Sequence, residues 1–140
     1  MATSAENVEL VRAWFAAMNA LDAKGMGALC APGVDVLEVA EGELHQGRDY
    51  LVWAYEDLFT GFPDAAAQTL NEFAGDDQVL VEVRWTGMNL GQFRGEPATG
   101  GTNDVRIAYI FTVEDGAITR ITEYYDMHTV LAQLQETAPK

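Results

Sequence analysis

Apolar residues Val8, Val11, Trp14, Phe15, Met18 and Leu21 recur at intervals of three and four, which puts them on one face of a helix running from residue 4 to about residue 21. Thr3 and Glu6 have the spacing of a capping box at its start. Residues 22–30 fit a short second helix closed by Pro32 and Gly33, and the VDVLEV segment that follows has the β-branched content of a strand. Gly42 and Gly47 bracket a hairpin. Over residues 48–62 a third helix presents Leu51, Ala54, Tyr55, Leu58, Phe59 and Phe62 on one side, widened by Tyr50 and Trp53. Pro63, with no N–H to donate, ends it.

The pattern then changes to alternation. Val79, Val81, Val83 and Trp85 alternate with Leu80, Glu82, Arg84 and Thr86, as a strand with one buried face requires, and Val105, Ile107, Tyr109, Phe111 and Val113 repeat it. Asp115-Gly116 is a hairpin turn leading into ITRITEYYD, and a short helix from about residue 127 to residue 135 closes the chain. Helices first and antiparallel strands after them predict one α+β domain over residues 1–140, in which a strongly curved sheet of about five or six strands wraps over the helices. The glycine-rich stretch 87–101 reads as a loop or bulged strand end and not a phosphate cradle, because no helix start follows it.

Composition narrows the partners. A chain of 140 residues that is 49% hydrophobic can bury one sizeable core. Its 22 acidic and 8 basic residues give a formal charge of -14, which repels nucleic-acid phosphates and anionic membrane surfaces, and the basic residues are scattered singly. Cys30 is alone, so an internal disulfide and a thiolate-rich metal centre are excluded, and two histidines, His45 and His128, are too few for a histidine-rich metal site. MATSAENVEL has no basic start and no apolar run of leader length, and the longest apolar stretch, residues 107–111, is far too short to span a bilayer. A cytoplasmic protein that uses no metal or other cofactor is expected.

FPDAAAQTLNEFAGDDQVLVEVRWTG, GQFRGEPATGG and FTVEDGAITRITEYYDMHTVLAQL resemble the SnoaL-like polyketide cyclases of the nuclear-transport-factor-2-like superfamily. The likeness runs from the first helix to the last and is strongest at the Pro63-Asp64 turn, the glycine-rich loop and the terminal Tyr-Asp before a Leu/Gln helix. It implies a cone-shaped, cystatin-like α+β barrel, a pocket between sheet and helices, no metal, a hydrophobic small-molecule substrate and a homodimer built on the outer sheet face. It also implies cofactor-independent, aldol-type ring closure by general acid/base catalysis. The same fold hosts isomerases, epoxide hydrolases, hydroxylases and noncatalytic binders. Where many members carry a histidine in the fourth strand, this chain reads Thr86-Gly87-Met88-Asn89.

The resemblance makes Asp126 the catalytic carboxylate, against its plain reading as the cap of the last helix. His45 is the second catalytic candidate, a proton shuttle at the pocket rim, against a solvated hairpin histidine. Tyr55, Phe59, Trp85, Asn89, Tyr109 and Tyr124 are the expected pocket lining, since a cavity for a flat apolar ligand needs aromatic walls and a few placed polar groups. Strict alternation puts Tyr124, not Tyr125, on the face of Asp126.

Overall fold

The computed structural model describes residues 3–140. Thr3 and Glu6 form the capping box that starts α1 (Ser4–Asn19), and the helix turns Val11, Trp14, Phe15 and Met18 into the core. Asp22 caps α2 (Ala23–Ala28) by accepting from the N–H of Gly25. The chain enters β1 (Cys30–Glu38) at once, so Pro32 and Gly33 lie inside the strand and not before it. They fall at an irregularity in its pairing, between Cys30 and Asp35, where a missing N–H is tolerated. β2 (Glu43–Gln46) lies between the two glycines expected to bracket a hairpin, and Gly47, at φ 106°, makes the corner into α3 (Arg48–Gly61).

β3 (Ala66–Ala74), β4 (Gln78–Met88), β5 (Thr102–Glu114) and β6 (Ala117–Tyr124) follow, and α4 (Met127–Glu136) ends the fold. The six strands form one curved, unclosed sheet in the order β2-β1-β6-β5-β4-β3, antiparallel throughout except for the parallel pair β1–β6. β3 is announced by no clean alternation because, as an edge strand, it buries only Ala67. Across β4 and β5 the pairs Val79–Phe111, Val81–Tyr109, Val83–Ile107 and Trp85–Val105 line one face, and all eight side chains are buried. The outer face carries Arg84 paired to Asp104 at 2.6 Å and Arg106 near Glu82 at 3.7 Å.

The helices fill the concave side. Trp14 meets Phe15, Tyr55, Tyr109 and Phe111 edge-on at ring separations of 5.0, 5.5, 5.8 and 5.1 Å, so α1, α3 and β5 converge on one aromatic knot. At the other end the sheet opens and α4, with no fully buried residue, lies across the rim. It is held by polar contacts: Asn103 donates to the carbonyl of Val130 at 3.0 Å, and Gln133 to that of Asp104 at 3.0 Å. Gly101 allows this approach, since a Cβ there would overlap the backbone of Leu134. Among the described residues no helix is long and apolar enough to cross a membrane.

Candidate active site

The open end holds a cavity of about 710 Å³ between the concave sheet face, α3, α4 and the β4–β5 loop. Its walls are apolar, with Val36, Phe62, Trp85 and Ile107 on one side and Val130 and Leu134 of α4 on the other. Its polar lining includes Glu38, Glu123, Arg94 and the hydroxyls of Tyr55, Tyr109 and Tyr125.

A bulge decides which β6 residues enter. Thr112 pairs with Arg120 but Val113 pairs with Ile118, which leaves Thr119 as an extra residue and shifts the inward row from Ile118 to Ile121 and Glu123. Glu123 is thereby register-paired with Tyr109 on one neighbouring strand and with Glu38 on the other. Enclosure in the cavity, with a further contribution from the charge of Glu38, pushes the Glu123 carboxyl up to about 8, against the opposing pull of Arg94. Burial also raises the Tyr55 and Tyr109 hydroxyls well above the usual tyrosine range, so both keep their protons and remain hydrogen-bond donors.

Arg94 comes from the β4–β5 loop. Phe93 and Glu96 exchange backbone hydrogen bonds of 3.0 and 2.9 Å around a two-residue turn, with φ of 52° at Arg94 and 78° at Gly95. The Arg94 N–H donates to Asp57 Oδ2 at 3.0 Å. Its guanidinium lies over the Phe93 ring, donates to Glu38 Oε2 at 3.1 Å and pairs with Glu41. Asn89 fastens the same loop: its amide donates to the carbonyls of Gly61 and Gly91, and Oδ1 accepts from the N–H and hydroxyl of Thr99.

Of the residues expected to form the site, Tyr55, Trp85, Asn89 and Tyr109 line the cavity. The Asn89 amide protons are already donated within the protein, so it shapes the loop and has none left for a ligand. Phe59 faces away, into a separate cleft beside α2 with Leu21 and Lys24. Tyr124 is 45% exposed on the outer side, and Tyr125 takes the inward place, because the bulge reverses the parity of β6. Asp126 lies outside the cavity as the exposed cap of α4, accepting from the N–H of His128 at 3.1 Å and the hydroxyl of Thr129 at 2.7 Å. The Thr129 hydrogen bond is the main cause that holds its carboxyl below the usual range, which makes it a weak base. His45 stacks on Tyr50 at 4.0 Å and contacts Glu43 at 2.9 Å on the edge strand, away from the cavity.

Glu38, Arg94, Glu123 and Tyr125 are the site residues that the pattern reading passed over. The two glutamates carried a signal: Glu38 continues the inward row of Val34 and Val36, and Glu123 stands two residues after Ile121. A carboxylate on a buried row calls for an explanation. Arg94 had no such signal, because its place depends on the path of a long loop.

A curved, unclosed sheet wrapped over N-terminal helices, with an acidic and aromatic pocket at its open end, defines a protein of the nuclear-transport-factor-2-like class. The SnoaL-like polyketide cyclase family profile matches residues 8–134, and the chain belongs to that family. A protein from Jannaschia sp. CCS1, classed as a SnoaL-like polyketide cyclase, superposes with a TM-score of 0.88 at 24% identity, covering 100% of this chain and 97% of that one. One from Xanthomonas campestris pv. campestris, classed as a polyketide cyclase, gives 0.85 at 25% identity over 95% of this chain and 99% of that one. AclR from Streptomyces galilaeus, classed as a hydroxylase, gives 0.83 at 22% identity over 96% and 98% of the two chains. No curated protein matches the sequence.

Proposed function

We propose that this protein is a cofactor-independent enzyme of the polyketide cyclase type, which closes a ring in a hydrophobic, oxygenated small molecule by general acid/base catalysis at Glu123. The observation that carries this reading is an ionisable carboxyl at the polar end of an otherwise apolar cavity large enough for a drug-sized ligand. Family membership and the cyclase-class neighbours support it.

In the proposed cycle ionised Glu123 removes a proton from a carbon flanked by two carbonyls, and the electron pair of that C–H bond becomes the enolate. Tyr55 and Tyr109, both protonated, donate hydrogen bonds to the enolate oxygen as charge develops. The enolate carbon attacks a second carbonyl of the same molecule, folded against it by the apolar walls, and the new alkoxide takes the proton back from Glu123. Atoms and charge balance without an external reagent. The catalytic role expected for Asp126 passes in this reading to Glu123, because the Asp126 carboxylate is engaged as the cap of α4 and is not among the residues lining the cavity. The protein acts as a homodimer in the cytoplasm. A dimer is supported by an outward row that runs in register from Phe73 through Leu80, Ile110, Thr122 and Leu37 to Leu44, crossing all six strands.

The test is turnover of an aromatic poly-β-ketone by wild type and Glu123→Gln across pH. Wild-type kcat should climb about tenfold per pH unit below pH 8 and level off above it, and the Gln variant should lose that pH dependence and fall roughly a hundredfold or more below the wild-type plateau. Full turnover by the variant would overturn the reading.

A further inference from the structure

We propose that Glu38 and Arg94 are positioning residues that set how readily Glu123 gives up its proton, and that the β4–β5 loop exerts this control by delivering Arg94 to the site. The inference rests on Glu123 being the acid/base group of the cavity, and deepens that reading.

The charges around Glu123 are few. β1 presents Glu38, register-paired with it, and the turn after β1 presents Glu41. α3 contributes Tyr50 and Tyr55, β5 Tyr109, and the residue after β6 is Tyr125. The loop brings Arg94 and Glu96, and α4 faces the cavity with uncharged residues only, such as Met127, Leu131 and Gln135. Burial raises all four tyrosine hydroxyls, Tyr50 and Tyr125 to about 12, so none carries charge at neutral pH. Glu38 and Arg94 are therefore the two charges that act on Glu123 in opposite senses, one favouring the protonated form and the other the ionised form.

The two are joined to each other by the contact of 3.1 Å between Arg94 and Glu38 Oε2. Arg94 is also the one cation among the described residues that line the cavity. Its position is built and not left to side-chain wandering. The backbone N–H is anchored on Asp57, the Asn89 clamp closes the loop onto Thr99, and Leu90 and Gly91 donate to the carbonyl of Gly61. Arg94 holds a left-handed φ of 52°, which a non-glycine residue adopts at a cost, so the local structure is spent on aiming this side chain. With the loop seated, the Arg94 charge draws Glu123 toward the ionised form. With the loop lifted, Glu38 stands unopposed and Glu123 holds its proton. The seating of the loop and the readiness of the base are thus linked through one ion pair.

The test needs no substrate. Side-chain 13C carboxyl spectra of the full chain are titrated by NMR, with Glu123 assigned by the resonance missing from Glu123→Gln. Wild type should show an apparent midpoint near 8. Glu38→Gln should lower it by about one pH unit or more, Arg94→Gln should raise it by about half a unit, and Arg94→Lys should restore it most of the way. Asp57→Ala, which frees the loop and leaves the guanidinium intact, should move it in the same direction as Arg94→Gln. Opposite displacements from the two halves of one ion pair are what a loss of packing alone would not produce. Unchanged midpoints, or displacements of the same sign for Glu38→Gln and Arg94→Gln in variants with wild-type amide spectra, would overturn the proposal. That failure would leave the turnover loss of Glu123→Gln standing. Retained turnover in Glu123→Gln would instead remove the catalytic reading while the titrations held.

Discussion

Replacing Glu123 with glutamine should stabilise the fold, and by more as the pH rises. In the folded protein the carboxyl is held to about 8, against an ordinary value of 4.5 that the unfolded chain regains. Between those two values the unfolded chain has released a proton that the folded chain retains, so each pH unit costs the folded state about 1.36 kcal/mol. The contribution is fully favourable below 4.5 and is lost as pH rises through 8. The whole displacement, from 4.5 to about 8, corresponds to about 5 kcal/mol. Glutamine keeps the shape without the charge and is indifferent to pH. The stability advantage of the variant should therefore grow from about 1 kcal/mol at pH 5 to about 4 kcal/mol at pH 8 and flatten above pH 9. Urea unfolding of both proteins at each pH unit from 5 to 9 measures this, and subtracting wild type from variant cancels the titration of the other carboxylates. Equal stability at pH 8, or a constant offset at every pH, would refute the claim that a high-pKa carboxyl is enclosed at this position.

Asp126→Asn should leave turnover unchanged and unfold like wild type, since asparagine caps as well as aspartate, while Asp126→Ala should lose stability but not the chemistry. A turnover loss in the Asn variant would return the catalytic role to Asp126. Asn89→Ala should destabilise by about 2–3 kcal/mol in urea melts, because it removes the four side-chain hydrogen bonds by which buried Asn89 fastens the loop, and should speed amide exchange at Thr99. Ile110→Asp, in the middle of the outward apolar row, should halve the mass seen by light scattering to the 15.3 kDa of one chain. A wild type that already scatters as 15.3 kDa would remove the dimer.

Local rules made much of the fold readable. The capping box at Thr3 and Glu6, the three-and-four spacing of α1 and the alternation of β4 and β5 each depend on residues a few positions apart, and each stands in the structure as the sequence implies. The pocket was legible only where it borrowed from those rows: Trp85 and Tyr109 sit on strands whose buried parity is unbroken, and Tyr55 on a helix face. On β6 the parity breaks at Thr119, an extra residue whose presence is defined only by pairing with β5, and that break turns Tyr124 out and Glu123 in. Asp126 caps α4 at the surface for a local reason, which its sequence neighbourhood already offered. The acid pair arises because β1 runs parallel to β6 and sets Glu38 beside Glu123, 85 positions away in the chain, and Arg94 reaches Glu38 along a loop. Periodicity is a property of one segment. Register, bulges and loop paths are properties of two or more segments, and the chemistry of this cavity is assembled from them.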